Sequence, residues 1–228
     1  MNKSNYIIET PWDKKVFGMP TYEVQRYSEE TLNQIKDYHG HFTLKVDPMV
    51  DKRLLHKHDF YYADTLLEPF CKRDHFVFHY NEHVKLNYKP PLNKLMEICM
   101  GGTFEHGRFH KDFFLSSSLG DQRYASWLEQ LHSSGKAIAL MFNDEIAGFF
   151  CSDNNKILLH ALDEKFRGKG LAKYFWATAI EQMFQDGYHD VSSSVSASNI
   201  PVINLYISLG FKFNKVVEVY HKYTKQEE

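Results

Sequence analysis

The clearest pattern of apolar and polar positions lies in the second half of the chain. Three apolar runs, residues 136–142, 146–152 and 156–162, are separated by the short polar stretches 143–145 and 153–155. Such spacing predicts an antiparallel meander of three strands. The period then changes. Between Leu171 and Gln185, apolar side chains recur at Ala172, Phe175, Ala179, Ile180 and Met183, which is helical spacing. Gly187 stands where a helix would terminate. Residues 190–197 read as a strand whose serines keep one face small. A second helix is predicted over 200–209, with Asn199 near its N-cap, Pro201 in its first turn and Gly210 as its stop. Residues 211–223 supply one or two closing strands. Ahead of the meander, 121–135 predicts a helix with Tyr124, Trp127, Leu128 and Leu131 on one face.

The first half is less regular. Residues 41–47 and 60–70 read as strands, with a short helix over 48–58. The stretch LLHKHDFYYADTLLE echoes LYISLGFKFNKVVEV: helix end, turn, aromatic, strand. Residues 73–107 hold a Pro-Pro and a Gly-Gly, which break regular structure. This places a subdomain boundary near 105/106, with an N-terminal region over 1–105 and the main domain over 106–228. The fold class is α/β (α+β), a mixed and mostly antiparallel sheet flanked by helices.

Composition narrows the function. The chain has 228 residues, 43% hydrophobic, with a formal net charge of −2. That is a globular composition without the positive field that recruits nucleic acid. The N-terminus lacks an apolar signal region and no apolar run approaches a membrane span, so no membrane association is expected. Cys71, Cys99 and Cys151 are isolated and suit a reducing cytoplasm. Thirteen histidines invite a metal reading. However, His39/His41 and His56/His58 are spaced i, i+2, which does not share a helix face, and no H-E-x-x-H pattern occurs, so no metal site is expected.

The chemistry concentrates at Arg167-Gly168-Lys169-Gly170-Leu171-Ala172, between the third meander strand and the long helix. The first amides of a helix lack internal partners and carry positive dipole, and glycines let an anion approach them. Arg167 and Lys169 add charge. A P-loop would need Ser or Thr after Gly-Lys, and Gly170 stands there. A dinucleotide fingerprint would need glycine at Lys173 and a parallel strand before the loop. What remains is the pyrophosphate loop of acetyl-CoA-dependent transferases.

On these residues the chain resembles the GNAT N-acetyltransferases. Arg167, Gly170 and Ala172 fill the family pattern [QR]-x-x-G-x-[GA]. Asn199, Leu205, Tyr206, Gly210 and Phe211 match its next element, with Val202 in place of the usual alanine. More narrowly, PWDKKVFGMP, GRFHKDF and RYASWLEQ resemble the dTDP-fucosamine acetyltransferase group, which acetylates a nucleotide-linked amino sugar and carries a partial GNAT-like N-terminal region.

The resemblance implies direct transfer of acetyl from acetyl-CoA to a small primary amine in the cytoplasm. It also allows a homodimer. Backbone amides near Ala161 and Leu162 would polarise the acetyl carbonyl. Residues 167–172 would hold the pyrophosphate, and Asn199 would contact the pantetheine or cap the second helix. Tyr206 would protonate the departing thiolate or else pack in the core. His160 and His110 are both candidates for the base, as is ordered water. Arg108 would bind a substrate phosphate or form a surface salt bridge, and Cys151 is a nucleophile only if something activates it. Acetylation of a peptide N-terminus or a polyamine, and plain acyl-CoA binding, are the alternatives.

Overall fold

The computed structural model describes residues 6–225. In chain order its elements are β1 (Ile7–Glu9), α1 (Pro11–Phe17), β2 (Thr21–Val24), α2 (Glu29–Gln34), β3 (Gly40–Val46), α3 (Arg53–Lys57), β4 (Tyr61–Lys72), β5 (Val84–Asn87) and α4 (Leu92–Cys99). They continue with α5 (Ser117–Ser133), β6 (Ala137–Phe142), β7 (Glu145–Asp153), β8 (Lys156–Leu162), α6 (Ala172–Gln185), β9 (Asp190–Ser192), β10 (Val195–Ser196), α7 (Ile200–Ser208) and β11 (Lys212–Thr224). The chain forms two compact units. Unit 1 holds residues up to Leu66, His106–Arg123 and the chain from Val216; unit 2 holds Leu67–Glu105 and Tyr124–Lys215. Among the described residues no helix is long and apolar enough to cross a membrane.

Unit 1 is built on the strand order β1-β2-β3-β11. β2 and β3 run parallel, and the other two pairs are antiparallel. Leu32, Ile35, Phe42, Leu44 and Leu55 are buried against this sheet. Its helices are short and set by their ends. Pro11 opens α1 and Gly18 closes it in the left-handed region, while the Ser28 hydroxyl accepts from the Thr31 amide to start α2.

Unit 2 has the order β4-β9-β8-β7-β6-β5. All its neighbours are antiparallel except β8 and β9, which run parallel. Strand alternation sorts the meander's side chains to two faces. Leu140, Phe150 and Ile157 pack with Phe175, Ile180 and Met183 of α6. Ala139, Phe149 and Leu159 pack with Leu95 of α4 and Leu128 and Leu131 of α5. This is the expected mixed sheet between helices.

The meander, α6, α7 and β11 lie where the apolar periodicity puts them. Elsewhere the structure differs from the expectations. The helix expected over 48–58 is only Arg53–Lys57, because Asp47 and Asp51 bond the amides of Met49 and Arg53 and hold turns ahead of it. The strand expected over 190–197 is broken into β9 and β10. α5 starts at Ser117, four residues ahead of expectation. The echo between the two halves is real as local geometry. Each copy runs from a helix through a positive-φ residue (Asp59 at 56°, Gly210 at 86°) to a buried phenylalanine (Phe60, Phe211) and a long strand.

Gly210 is fixed by two constraints. Its φ is left-handed, and a Cβ there would meet the His75 carbonyl oxygen at 2.1 Å. Gly187 is also left-handed, at 100°, but a Cβ would meet nothing within 4 Å. Gly210→Ala is therefore expected to cost on the order of 3 kcal/mol and Gly187→Ala about 1 kcal/mol. Urea unfolding of the two variants measures the difference, and equal losses would contradict the backbone clash.

Candidate active site

β8 lies between two very different neighbours. With β7 it pairs along its whole length, from Asp153↔Lys156 to Gly148↔Leu162. With β9 it pairs at one position, Lys156↔Ser192. The Ser192 amide donates to the Asn155 carbonyl at 3.0 Å, and the Ser193 hydroxyl to the Ile157 carbonyl at 3.1 Å. Beyond Ile157 the two strands part. The orientation of the freed backbone is set by the ladder. The Asp163 amide donates to the Ala147 carbonyl at 2.9 Å. Antiparallel alternation then directs the amide of Ala161 toward β7 and those of Leu162 and His160 toward the open side. Of the two amides expected near the acetyl group, this leaves Leu162 free to act, joined by His160.

The glycine loop comes directly after β8. Asp163 accepts from the Lys165 amide at 3.0 Å and starts a single tight turn, Glu164–Phe166. Arg167 then folds back. Its Nε donates to the Leu162 carbonyl at 2.8 Å and its guanidinium to the Thr103 hydroxyl at 2.7 Å. Arg167 thus anchors the loop through its side chain. Gly168 and Gly170 are left-handed, at 69° and 70°, and a Cβ on either would meet nothing within 4 Å. Gly168, Lys169 and Gly170 are exposed, and Leu171 and Ala172 enter the first turn of α6. An open backbone loop at the start of a 14-residue helix is a suitable cradle for a phosphate.

Tyr206 and His160 come together. The Tyr206 hydroxyl lies 3.1 Å from His160 Nε2. Tyr206 has 0% exposure and packs on Phe211; His160 is half-buried against Trp176, with ring centroids 4.8 Å apart. Burial pushes His160 down to about 4, against a bond to its own backbone carbonyl. Burial also raises Tyr206, with Ser193 and Trp176 opposing in part. At neutral pH both groups are uncharged, and a phenol donating to Nε2 leaves the ring proton on Nδ1. Asn199 acts as a helix cap, its side-chain oxygen accepting from the Val202 amide at 3.3 Å. Cys151 is fully buried and burial raises its thiol, which removes it as a nucleophile.

His110 and Arg108 belong to unit 1. His110 Nε2 meets Asp121 Oδ1 at 3.0 Å, and its ring occupies the space a Cβ on Gly120 would need. The same segment carries a residue that sequence reasoning missed. Asp112 has no exposed side-chain surface. His41 Nε2 at 2.8 Å, His221 Nδ1 at 2.7 Å and the Tyr61 hydroxyl at 3.0 Å all converge on its Oδ2, and the Phe114 amide donates to Oδ1. Burial pushes the Asp112 carboxyl up, but the bonds from His221 and His41 outweigh it and hold it well below the usual range. The three side chains could each offer a metal one atom. Their spacing is that of hydrogen bonds, and the carboxylate's lone pairs are taken by donors. The partners lie 71 and 109 residues away from Asp112, so no local pattern announces them.

The sequence model of the Acetyltransferase (GNAT) family matches residues 105–211, just under half of the chain. Over those residues the chain is similar to the GNAT acetyltransferases. The match supports an enzyme that transfers an acyl group. Solved structures agree on the fold across nearly the whole chain. A GCN5-related N-acetyltransferase from Sphaerobacter thermophilus superposes with a TM-score of 0.61 at 12% identity, covering 95% of this chain and 75% of that one. A GNAT-family protein from Novosphingobium aromaticivorans gives 0.60 at 14% identity, covering 99% and 91%. A glucosamine N-acetyltransferase region of a fungal multi-domain β-N-acetylglucosaminidase gives 0.55 at 12% identity, covering 80% of this chain and 25% of that one. No curated protein matches the chain in sequence.

The neutral burial of His160 has a consequence for stability. Its value is 6.5 in the open chain and about 4 when folded, so between those limits the unfolded state binds more protons. Its contribution is complete above pH 6.5 and is lost as pH falls toward 4, with a limiting slope of about 1.4 kcal/mol per pH unit. In urea titrations, the stability gap between wild type and His160→Gln is expected to narrow from pH 6.5 to pH 4.5. A gap independent of pH would contradict this assignment.

Proposed function

We propose that the open edge of β8 and the Gly168–Gly170 loop bind acetyl-CoA for transfer of its acetyl group to a primary amine of a small molecule. The observation that carries this reading is the parting of β8 from β9 beside an exposed helix-start cradle, within the residues that match the GNAT family model. The loop suits a pyrophosphate because its two glycines are left-handed and exposed at the start of α6. Residues 168–172 would hold the phosphates. The amides of Leu162 and His160 would polarise the acetyl carbonyl and take up charge as the tetrahedral centre forms. When bound, acetyl-CoA supplies the activated acyl group and a thiolate leaving group.

In this reading Tyr206 gives its hydroxyl proton to the departing sulfur and regains one from water, and His160 positions the phenol. His160 is a poor base, because its Nε2 is occupied by Tyr206 and burial disfavours the imidazolium. The amine's proton therefore passes to water. An amino sugar, carried on a nucleotide, is the preferred acceptor. Support comes from the resemblance of GRFHKDF and RYASWLEQ to acetyltransferases of that group. The fungal glucosamine N-acetyltransferase region among the fold neighbours acts on a related amine.

Release of free CoA, followed with acetyl-CoA and dTDP-, UDP- and GDP-linked amino sugars, simple amino sugars, polyamines and peptides, tests the reading. Acceleration by an amino sugar is expected. Thiol release that no amine accelerates would leave an acyl-CoA-binding protein and overturn it. Gly170→Asp sets a carboxylate in the cradle and is expected to weaken acetyl-CoA binding by more than about tenfold. Tyr206→Phe is expected to lower kcat by roughly 100-fold while binding changes little. Unchanged acetyl-CoA affinity in Gly170→Asp would remove the loop from the site.

A further inference from the structure

Unit 1 contains one cation that breaks the pattern set by its neighbours. Among its described residues, the half-buried cations Lys52, Arg123 and Lys222 all have oxygen partners. Lys52 pairs with Glu218, Arg123 with Asp13, and Lys222 donates to the His58 carbonyl at 2.7 Å. Arg108 is equally half-buried, and none of the described carboxylates or carbonyls meets it. Its Nε is fully buried without an acceptor. The guanidinium lies over Phe109, whose ring centroid is 4.6 Å from the guanidinium carbon.

The surroundings make this arrangement costly. Phe109 is buried among Phe17 and Leu115, so the guanidinium rests on an apolar floor. His221 stacks on the other part of that floor, with ring centroids 5.9 Å apart, and its Nε2 is also buried and unpartnered. Arg108 is near enough for its charge to disfavour a proton on His221. A partly desolvated guanidinium with an unmet donor is unfavourable unless something completes it. The anchoring of its segment holds it there. Asp112, four residues on, is fixed by His41, His221 and Tyr61, and Lys111 is tied to Asp64 at 2.6 Å.

We propose that Arg108 is the anion-binding residue of a ligand site in unit 1, and that its ligand is a phosphate group of a small molecule. The planar fork of a guanidinium matches phosphate oxygens with two parallel donors, and stacking on Phe109 uses none of its N–H groups. The site needs only unit 1 and does not depend on acetyl transfer.

Titration of the full chain with inorganic phosphate and pyrophosphate, read at the Arg108 Nε–H signal by NMR, tests the proposal. The signal is expected to shift saturably with phosphate or pyrophosphate, and acetate or citrate at equal ionic strength is expected to shift it far less. Arg108→Met keeps the stem over Phe109 and removes the cation. It is expected to lower phosphate affinity at least tenfold, with a melting temperature in phosphate-free buffer equal to or above wild type. The comparison also separates this site from the glycine loop, which the substitution leaves intact. An Nε–H signal indifferent to both phosphates would overturn the proposal. So would preference for the carboxylates, or an Arg108→Met protein that melts lower while phosphate stabilises it as much as wild type.

Discussion

The single paired position between β8 and β9 governs unit 2. Parallel strands normally continue side by side once paired, because each unpaired amide or carbonyl left in a protein must find another partner. Here Ser193 closes the ladder by donating to the Ile157 carbonyl, and β9 stops at Ser192. The remainder of β8 is an edge inside a sheet rather than at its margin. One of its carbonyls finds a partner in the loop itself, since Arg167 reaches back to Leu162. The amides of Leu162 and His160 have no such provision. A backbone that leaves donors pointing into a gap is prepared to bind an acceptor there, such as a thioester carbonyl.

The side chains around the gap serve the same arrangement. Tyr206, from α7, is wholly buried and ends on His160, which belongs to the open strand. The pair is neutral, which suits proton handling more than charge storage. Arg167 acts as a tether, so the positive character of the loop rests on Lys169 and on the amides at the start of α6. The charge that first draws attention in KFRGKGLAKYF is thus divided. Lys165 pairs with Glu145, Arg167 holds the loop, and the glycines keep the cradle open.

Much of unit 2 is legible in the sequence because its elements are long enough to show their period. β6 to β8 alternate across two cores, α6 spans nearly four turns, and Asn199 and Gly210 mark α7 at both ends. Unit 1 is far less legible. β1, β2, α1 and α2 are three to seven residues long, too short for a repeat to declare itself. At the break between β9 and β10 the Ser193 hydroxyl bonds the Ile157 carbonyl and its amide the Pro69 carbonyl, which composition alone does not reveal. His41 offers the sharpest contrast. Its spacing from His39 reveals no partner, yet His41 gathers with Asp112 and His221, and the two histidines lie 71 and 109 residues from Asp112. Local pattern carries no information about such convergence.

Hydrogen exchange at single-amide resolution, with and without acetyl-CoA, addresses the open edge most directly. Binding at that edge predicts slowed exchange at the amides of His160 and Leu162 and across Gly168–Ala172, with little change at Ala161, whose amide is already held by β7. Acetyl-CoA that leaves His160 and Leu162 unprotected, or protects a different surface of the chain, would contradict the open edge as the acetyl site.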